Sequence, residues 1–252
     1  MNKKEYKFFL NKGFIIKKNV LSLKECESFK NILQKSIIKE NKFHKKNNKK
    51  NPDYGMVMVC PLYDEKFWYL LDNKKLMTAI NYILGKNSIV YAFTSSSMPP
   101  KSSNFSNRIH NDNPNYIKNY ILRVGCTIAL DDFTINNGAT SFVPGSHKRN
   151  QKPTKNEFKK KSIRFLAKAG DVLFFNANLY HRGEKNITLQ WRHALTINFT
   201  RHWAKQRFNF PELLKKKKRE NNFNQRILQK LNFFSNPPKS YNEYYKYKGG
   251  LR

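Results

Sequence analysis

Apolar and polar positions in this chain follow two different periods, and the change between them divides the sequence. Leu23, Cys26, Phe29, Leu33 and Ile37 recur three or four residues apart, the spacing of one helical face. Ser22-Leu23-Lys24-Glu25 precedes them as a capping box: the Ser side chain can accept from the third helical amide, and the Glu side chain from the cap amide. An amphipathic helix is therefore predicted over 23–39, after a short strand at 12–16 (KGFII). Residues 41–53, rich in Lys and Asn and ending near Pro52, read as a loop. A second helix is expected from a cap at Asp72 to Leu84, with Gly85 in the left-handed position that closes many helices.

From residue 88 the pattern becomes that of strands. Segments 88–95, 121–130, 163–167, 171–175 and 191–199 are rich in Val, Ile, Phe and Thr and are separated by turn residues. Side chains alternate between the faces of a strand. In 191–199, Trp191, His193, Leu195, Ile197 and Phe199 share one face; Arg192, Ala194, Thr196 and Asn198 share the other. In 121–130, Leu122, Val124, Cys126, Ile128 and Leu130 oppose Arg123, Gly125, Thr127 and Ala129. Each strand thus has an apolar face and a small, polar face bearing one arginine. Such polar faces suit a barrel lumen that holds an anion, and they equally suit strands facing water; periodicity does not choose. After Pro211 the chain turns basic, with helical pattern over 211–231, and ends in a Tyr- and Lys-rich tail. Helices, then strands, then helix suggest a β-barrel or two-sheet sandwich buttressed by helices. We expect one domain over 1–252: a strand and helices to 87, a strand-rich core over 88–203 and a basic helical extension over 204–252.

Composition narrows the class. Apolar residues make up 39% and aromatics 14% of 252 residues, enough to fill a core, so disorder is excluded as the default. No apolar run nears the roughly 20 residues of a membrane span. The apolar stretch of MNKKEYKFFLNKG ends at Leu10, too short for a secretory signal, and the protein reads as cytoplasmic. Cys26, Cys60 and Cys126 are scattered and read as small buried hydrophobes. The net charge of +32, from 49 basic and 17 acidic residues, attracts acidic partners. The excess is mostly lysine, dispersed and accompanied by asparagine, which is also what an AT-rich genome produces.

Chemistry concentrates in two places. Arg108-Ile109-His110-Asn111-Asp112 contains His-x-Asp, whose imidazole and carboxylate project to one side of an extended backbone. Two imidazoles and one carboxylate on one face of an octahedron are the preferred set of iron(II) oxygenases. The second place is AGDVLFFNANLYHRGEKNITLQWR at 169–192: a tight Ala169-Gly170-Asp171 turn, a strand, His181, and Arg192 eleven residues later. A guanidinium can donate two parallel hydrogen bonds to a carboxylate. An arginine one strand from a metal suits a ligand that chelates at one end and presents a carboxylate at the other.

With these motifs in order, the sequence resembles the phytanoyl-CoA dioxygenase family of iron(II)/2-oxoglutarate oxygenases over roughly residues 12–203, through GFIIKKNVLSLKEC, IHND, NNGATSFVPGSHK at 136–148, GDVLFFNANLYHRGEKN and Arg192. The resemblance implies a cupin-like double-stranded β-helix, or jelly roll, with helices outside. It implies His110, Asp112 and His181 as iron ligands and Arg192 as the anchor for the distal carboxylate of 2-oxoglutarate. Thr127 falls where many relatives carry a Trp beside the cosubstrate; its hydroxyl either donates to 2-oxoglutarate or simply opens space. The implied reaction consumes dioxygen, releases succinate and carbon dioxide, and hydroxylates an unactivated C–H bond of a small molecule. Relatives that halogenate carry Ala or Gly in place of the metal carboxylate, and Asp112 excludes that outcome here.

Substrate contacts are expected from residues 97–108, 113–120 and 149–160. Arg123 either enters the lumen to bind an acidic group or forms a buried structural ion pair. His202 is a candidate substrate contact, whereas His147 reads as part of a structural turn, His193 as a core histidine and His44 as solvated. A basic entrance would suit an acidic or carrier-linked substrate. Two other classes stand beside this reading. One is a nucleic-acid module using Lys215–Arg219, which the dispersed lysines and the lack of an RNA-binding motif disfavour. The other is a metal-binding jelly roll without oxygenase activity, which would not need Arg192.

Overall fold

A computed structural model describes residues 1–47, 54–113, 115–235, 238 and 240–246 of the chain. Parts of the 41–53 and 113–120 loops and the last six residues of the tail lie outside them.

The N-terminal residues form a helix, α1 (Lys3–Lys12), capped by Asn2 and closed by Gly13 at φ 84°. The expected strand therefore starts later, as β1 (Phe14–Lys17). The Ser22 capping box forms as expected and opens α2 (Leu23–Lys46). This helix runs seven residues past its predicted end, because the Lys- and Asn-rich stretch has no breaker before residue 47. α3 (Cys60–Tyr63) leads into a 3-10 stretch, Glu65–Asp72, and then α4 (Lys74–Leu84). Asn73, not Asp72, caps α4 by accepting from the Leu76 amide, while Asp72 pairs with Arg226. Gly85 does have positive φ, but its ψ of 158° places it outside the left-handed helical region.

The core is two antiparallel sheets. The larger has the order β1-β6-β3-β8-β2, with β2 (Ile89–Ser95), β3 (Arg123–Ala129), β6 (Val172–Asn176) and β8 (Ala194–Thr200). The smaller has the order β5-β4-β7, with β4 (Thr140–Phe142), β5 (Ile163–Arg164) and β7 (His181–Gly183). β4 and β7 were not foreseen, and of the predicted 163–167 strand Ile163 and Arg164 pair with β4 while Ala167 makes an isolated bridge to Phe133. Residues 191–193 lie outside β8, where Arg192 instead bridges to Met98.

The two-faced reading of the central strands holds. Val124, Cys126, Ile128, Leu195, Ile197 and Phe199 join the larger apolar cluster beneath the N-terminal helices. Ala129, Leu173, Phe175 and Ala194 face the other way and pack with Phe142, Phe165 and Leu179 between the sheets. This is the expected jelly-roll core with flanking helices. All three cysteines are buried and unpaired.

The basic extension breaks into α6 (Phe210–Leu213), α7 (Lys215–Glu220), α8 (Gln225–Lys230) and α9 (Tyr241–Lys246); α5 (Lys155–Lys161) precedes β5. The extension is fixed to the rest: Phe223 stacks on buried Trp68 with centroids 4.0 Å apart. Lys230 is buried and donates to Asn81, to the Lys86 and Ser88 carbonyls and to the Ser88 hydroxyl. Burial lowers its pKa to about 8. In α7, Lys215, Lys216 and Lys217 pair with Glu212, Glu220 and Glu65, so the run is not an unneutralised patch. Among the described residues no helix is long and apolar enough to cross a membrane.

The Ala169-Gly170-Asp171 turn ties β6 to the chain before α2. Gly170 accepts from the amides of Val20 and Leu21, and buried Asp171 accepts from the amides of Asn19 and Lys168. Gly170 has φ 91°, and a Cβ there would lie 2.2 Å from the Leu21 carbonyl oxygen. Positive φ alone costs an L-residue about 1–2 kcal/mol, and here backbone must also move. Gly170→Ala is expected to destabilise the fold by at least about 2 kcal/mol, read from denaturant unfolding. Wild-type stability in that variant would remove the turn from this role.

Candidate active site

His110, Asp112 and His181 come together because the chain pairs with itself at this point. The amide of His110 donates to the His181 carbonyl at 3.0 Å, and the amide of His181 returns to the His110 carbonyl at 2.8 Å. The two residues thus form a two-sided antiparallel bridge that extends the smaller sheet past β7. Their rings sit 4.3 Å apart. The Asp112 amide donates to the Ala177 carbonyl at 2.8 Å, which folds the carboxylate back towards both rings. Asp112 Oδ1 lies 3.6 Å from His110 Nε2 and 3.7 Å from His181 Nε2. One ligand atom from each residue falls within 4.8 Å of the other two, and among the described residues this is the one such group of three.

The outer atoms of the group are also held. Nδ1 of His110 lies 2.7 Å from the Arg108 carbonyl, and Nδ1 of His181 lies 2.9 Å from the Leu179 carbonyl. A carbonyl can only accept, so each Nδ1 carries the proton and each Nε2 presents a lone pair, the orientation that metal-binding imidazoles adopt. Asn198 Nδ2 donates to Asp112 Oδ2 at 3.2 Å, leaving Oδ1 towards the rings. Burial, then the neighbouring His181, lowers the pKa of His110 to about 4, against the pull of Asp112. His110 is therefore neutral, and able to donate its lone pair, throughout the physiological range. Phe175 packs 5.0 Å from the His181 ring and occupies the space over Gly125, where a Cβ would come within 2.2 Å of Phe175 Cζ. The glycine in β3 thus lets Phe175 support the histidine.

These three residues line a cavity of about 370 Å³ between the sheets, together with Arg192, Thr127, Thr196 and Asn198. Arg192 is 1% exposed. Its Nη1 donates to the Ser96 carbonyl at 2.8 Å and its Nη2 to the Gly138 carbonyl at 2.9 Å. The guanidinium lies over the Phe133 ring, and its Nε is buried without a partner. Burial lowers its pKa to about 10, with Asp131 opposing the shift, so it remains charged. A buried cation with an unused donor and, among the described residues, no carboxylate in ion-pair contact fits an anionic ligand. Thr127 is buried at the centre of the larger sheet, opposite Thr196 in the register.

Other candidates fall outside this group. Arg123 is buried but does not line the cavity, and among the described residues it forms no ion pair: it stacks on Tyr91 at 3.7 Å and donates to Asn113 Oδ1 at 3.3 Å. His147 lies 3.1 Å from the Leu10 carbonyl in a turn, and His193 is buried against Asp131 at 2.7 Å. His44 is half-buried rather than solvated, on α2 beside Glu40. His202 is exposed in a separate cleft with Tyr120 and Trp203.

Of the loops expected to meet substrate, 97–108 supplies Phe105, Ser106 and Arg108 to the cavity, whereas the described residues of 113–120 and 149–160 supply none. Sequence reasoning missed Met56, Met58, Tyr91, Thr94 and Arg207. Alternation in Gly55–Val59 could have found the two methionines, because Val57 and Val59 go to the core. Tyr91 sits at a register shift between Val90 and Ala92, which turns it to the cavity side against simple alternation.

Residues 9–194 match the family described as phytanoyl-CoA dioxygenase. The chain is 29% identical over 167 residues to the uncharacterized protein Rv1501 of Mycobacterium tuberculosis, covering 64% of this chain and 61% of that protein, less than two thirds of the relative's length. Among solved structures it is similar to HygX of Streptomyces hygroscopicus with nickel and 2-oxoglutarate bound (TM-score 0.66, 16% identity, 82% of this chain and 89% of that one). It is also similar to SnoK, a non-heme alpha-ketoglutarate-dependent carbocyclase from nogalamycin biosynthesis (TM-score 0.62, 19% identity, 80% and 84%). At these identities the structures share the fold, and the extent of the family match carries the assignment: this chain belongs to the phytanoyl-CoA dioxygenase family.

Proposed function

We propose that the protein is a mononuclear iron(II)- and 2-oxoglutarate-dependent oxygenase that hydroxylates an unactivated C–H bond of a small molecule. The observation that carries this reading is the convergence of His110 Nε2, Asp112 Oδ1 and His181 Nε2 beside a buried, underused guanidinium in one cavity. Two imidazoles and a carboxylate are the donor set that iron(II) oxygenases favour, with positions left for substrates. Bound iron and 2-oxoglutarate supply the oxidising power, drawing on dioxygen and yielding succinate and carbon dioxide.

The chain's part is to bind, orient and shield. The backbone bridge between His110 and His181 fixes the spacing of the imidazoles, and the Arg108 and Leu179 carbonyls hold their tautomers. Asn198 restrains the second carboxylate oxygen of Asp112. Arg192, held by the Ser96 and Gly138 carbonyls, takes the distal carboxylate of 2-oxoglutarate, and the Thr127 hydroxyl is a second donor on the same wall. Met56, Met58 and Phe105 line the cavity with apolar surface that limits water.

The test is succinate release from 2-oxoglutarate by purified protein and iron(II) across a metabolite panel. Stoichiometric succinate and a product heavier by one oxygen are expected for the true substrate; no succinate with any class of small molecule would count against the reading. Asp112 fills the position that a halide would need. No chlorinated or brominated product is therefore expected in halide-rich buffer, and a halogenated product would overturn the role given to Asp112.

A further inference from the structure

The cavity holds more positive charge than 2-oxoglutarate can neutralise. Its lining includes three arginines, Arg108, Arg192 and Arg207, against a single carboxylate, Asp112. Asp112 and Arg192 are committed by the oxygenase reading, on which this inference rests. A divalent metal and the dianion of 2-oxoglutarate cancel one another. Asp112 and Arg192 cancel in turn, and Arg108 and Arg207 remain.

Both remaining guanidiniums are exposed, and neither makes an ion pair or a side-chain hydrogen bond among the described residues. Each lies beside an aromatic ring, Arg108 over Phe105 and Arg207 near Phe208. Their backbones are anchored even though their charges are free. The Arg108 carbonyl holds His110, and the Arg207 amide donates to the Tyr91 carbonyl at 3.0 Å. Arg123, buried behind Tyr91 with its Nε unpartnered, adds to the positive potential on that side. Net charge of one sign in a low-dielectric cleft concentrates ligands of the opposite sign.

The uncharged lining is mixed: Met56, Met58, Tyr91 and Phe105 supply apolar surface, beside polar Thr94, Ser96, Thr127, Thr140, Thr196 and Asn198. At about 370 Å³ the cavity is near the lower end of the roughly 300–1,000 Å³ typical of small-ligand sites, and the cosubstrate must share it. A nucleotide-bearing carrier does not fit inside. We propose that the substrate is a small amphiphilic anion, with an apolar body against Met56, Met58 and Tyr91 and a carboxylate or phosphate monoester held by Arg108 and Arg207.

The experiment compares matched probes: hexanoate with hexanamide, and hexyl phosphate with hexanol. Each is titrated by calorimetry into wild-type protein and into Arg108→Gln and Arg207→Gln, with and without nickel(II) and 2-oxoglutarate. The anions are expected to bind more tightly than their neutral partners, and each substitution to weaken them by about two- to fivefold, the scale of one exposed charge contact. The ratio between hexanoate and hexyl phosphate decides which head group is preferred. Equal binding of neutral and anionic probes, no anion binding at millimolar concentration, or unchanged affinity in both variants would overturn the proposal. Nickel(II) and 2-oxoglutarate are titrated separately and are expected to bind all three proteins alike. Loss of that binding in the wild type would strike the oxygenase reading, whereas its retention with indifferent probes strikes this inference alone.

Discussion

His110→Ala and His181→Ala are each expected to abolish iron(II) binding, and with it the weak visible charge-transfer band that wild-type protein should give with iron(II) and 2-oxoglutarate under anaerobic conditions. Either change leaves one imidazole and one carboxylate, with Nε2 of the remaining ring 3.6 or 3.7 Å from Asp112 Oδ1. That takes away one of the three protein ligands proposed for the ion and would leave two-thirds of an octahedral shell to water or cosubstrate. Neither side chain is deep in the core: His110 is 24% and His181 13% exposed. The main-chain bridge between them does not need the rings. Unfolding midpoints of metal-free protein should therefore stay near wild type, which separates loss of metal from loss of fold. An unchanged band in both variants would sink the ligand assignment.

Arg192→Gln is expected to weaken 2-oxoglutarate and spare the metal. Glutamine keeps donors but loses the charge and the planar fork that grips both carboxylate oxygens. Removing one partner of a desolvated charge pair costs about 2–5 kcal/mol, more than about tenfold in affinity. The site is desolvated in this sense, since Arg192 is 1% exposed with Nε unpartnered. Part of the effect arises because Ser96 and Gly138 lose the donors that now satisfy their carbonyls. Anaerobic titration of iron(II)-loaded protein measures the affinity, and metal binding measured alone serves as the control. If 2-oxoglutarate titrates alike in both proteins, the arginine has another purpose.

What could be read from sequence differs between side chains and backbone. The alternation of 121–130 and 191–199 assigned faces correctly, because nearly every residue there is either clearly apolar or small and polar. His110, Asp112, His181, Thr127 and Arg192 were legible as candidates through motif and order, and the fold brings them to one cavity. The short strands β4 and β7 escaped, because three residues carry no usable period and pair only once their partners are in place. Tyr91 escaped because a register shift reverses the face of a residue without changing its type. Arg207 escaped because it follows the last strand, where no pattern says which way the chain returns. The end of α2 was misjudged for a different reason: Lys and Asn suggest a loop by composition, yet lysine is a good helix former.

The reciprocal amide bonds between His110 and His181 have a consequence for how the centre is loaded. Were these residues on independent loops, capture of an ion would have to freeze two segments at once, and the lost chain entropy would subtract from affinity. Here folding has already brought both segments together, and the Arg108 and Leu179 carbonyls have already turned the rings. Under the proposed ligand assignment, metal uptake is expected to be a simple encounter with a preorganised claw, its rate rising in proportion to metal concentration with no slow rearrangement behind it.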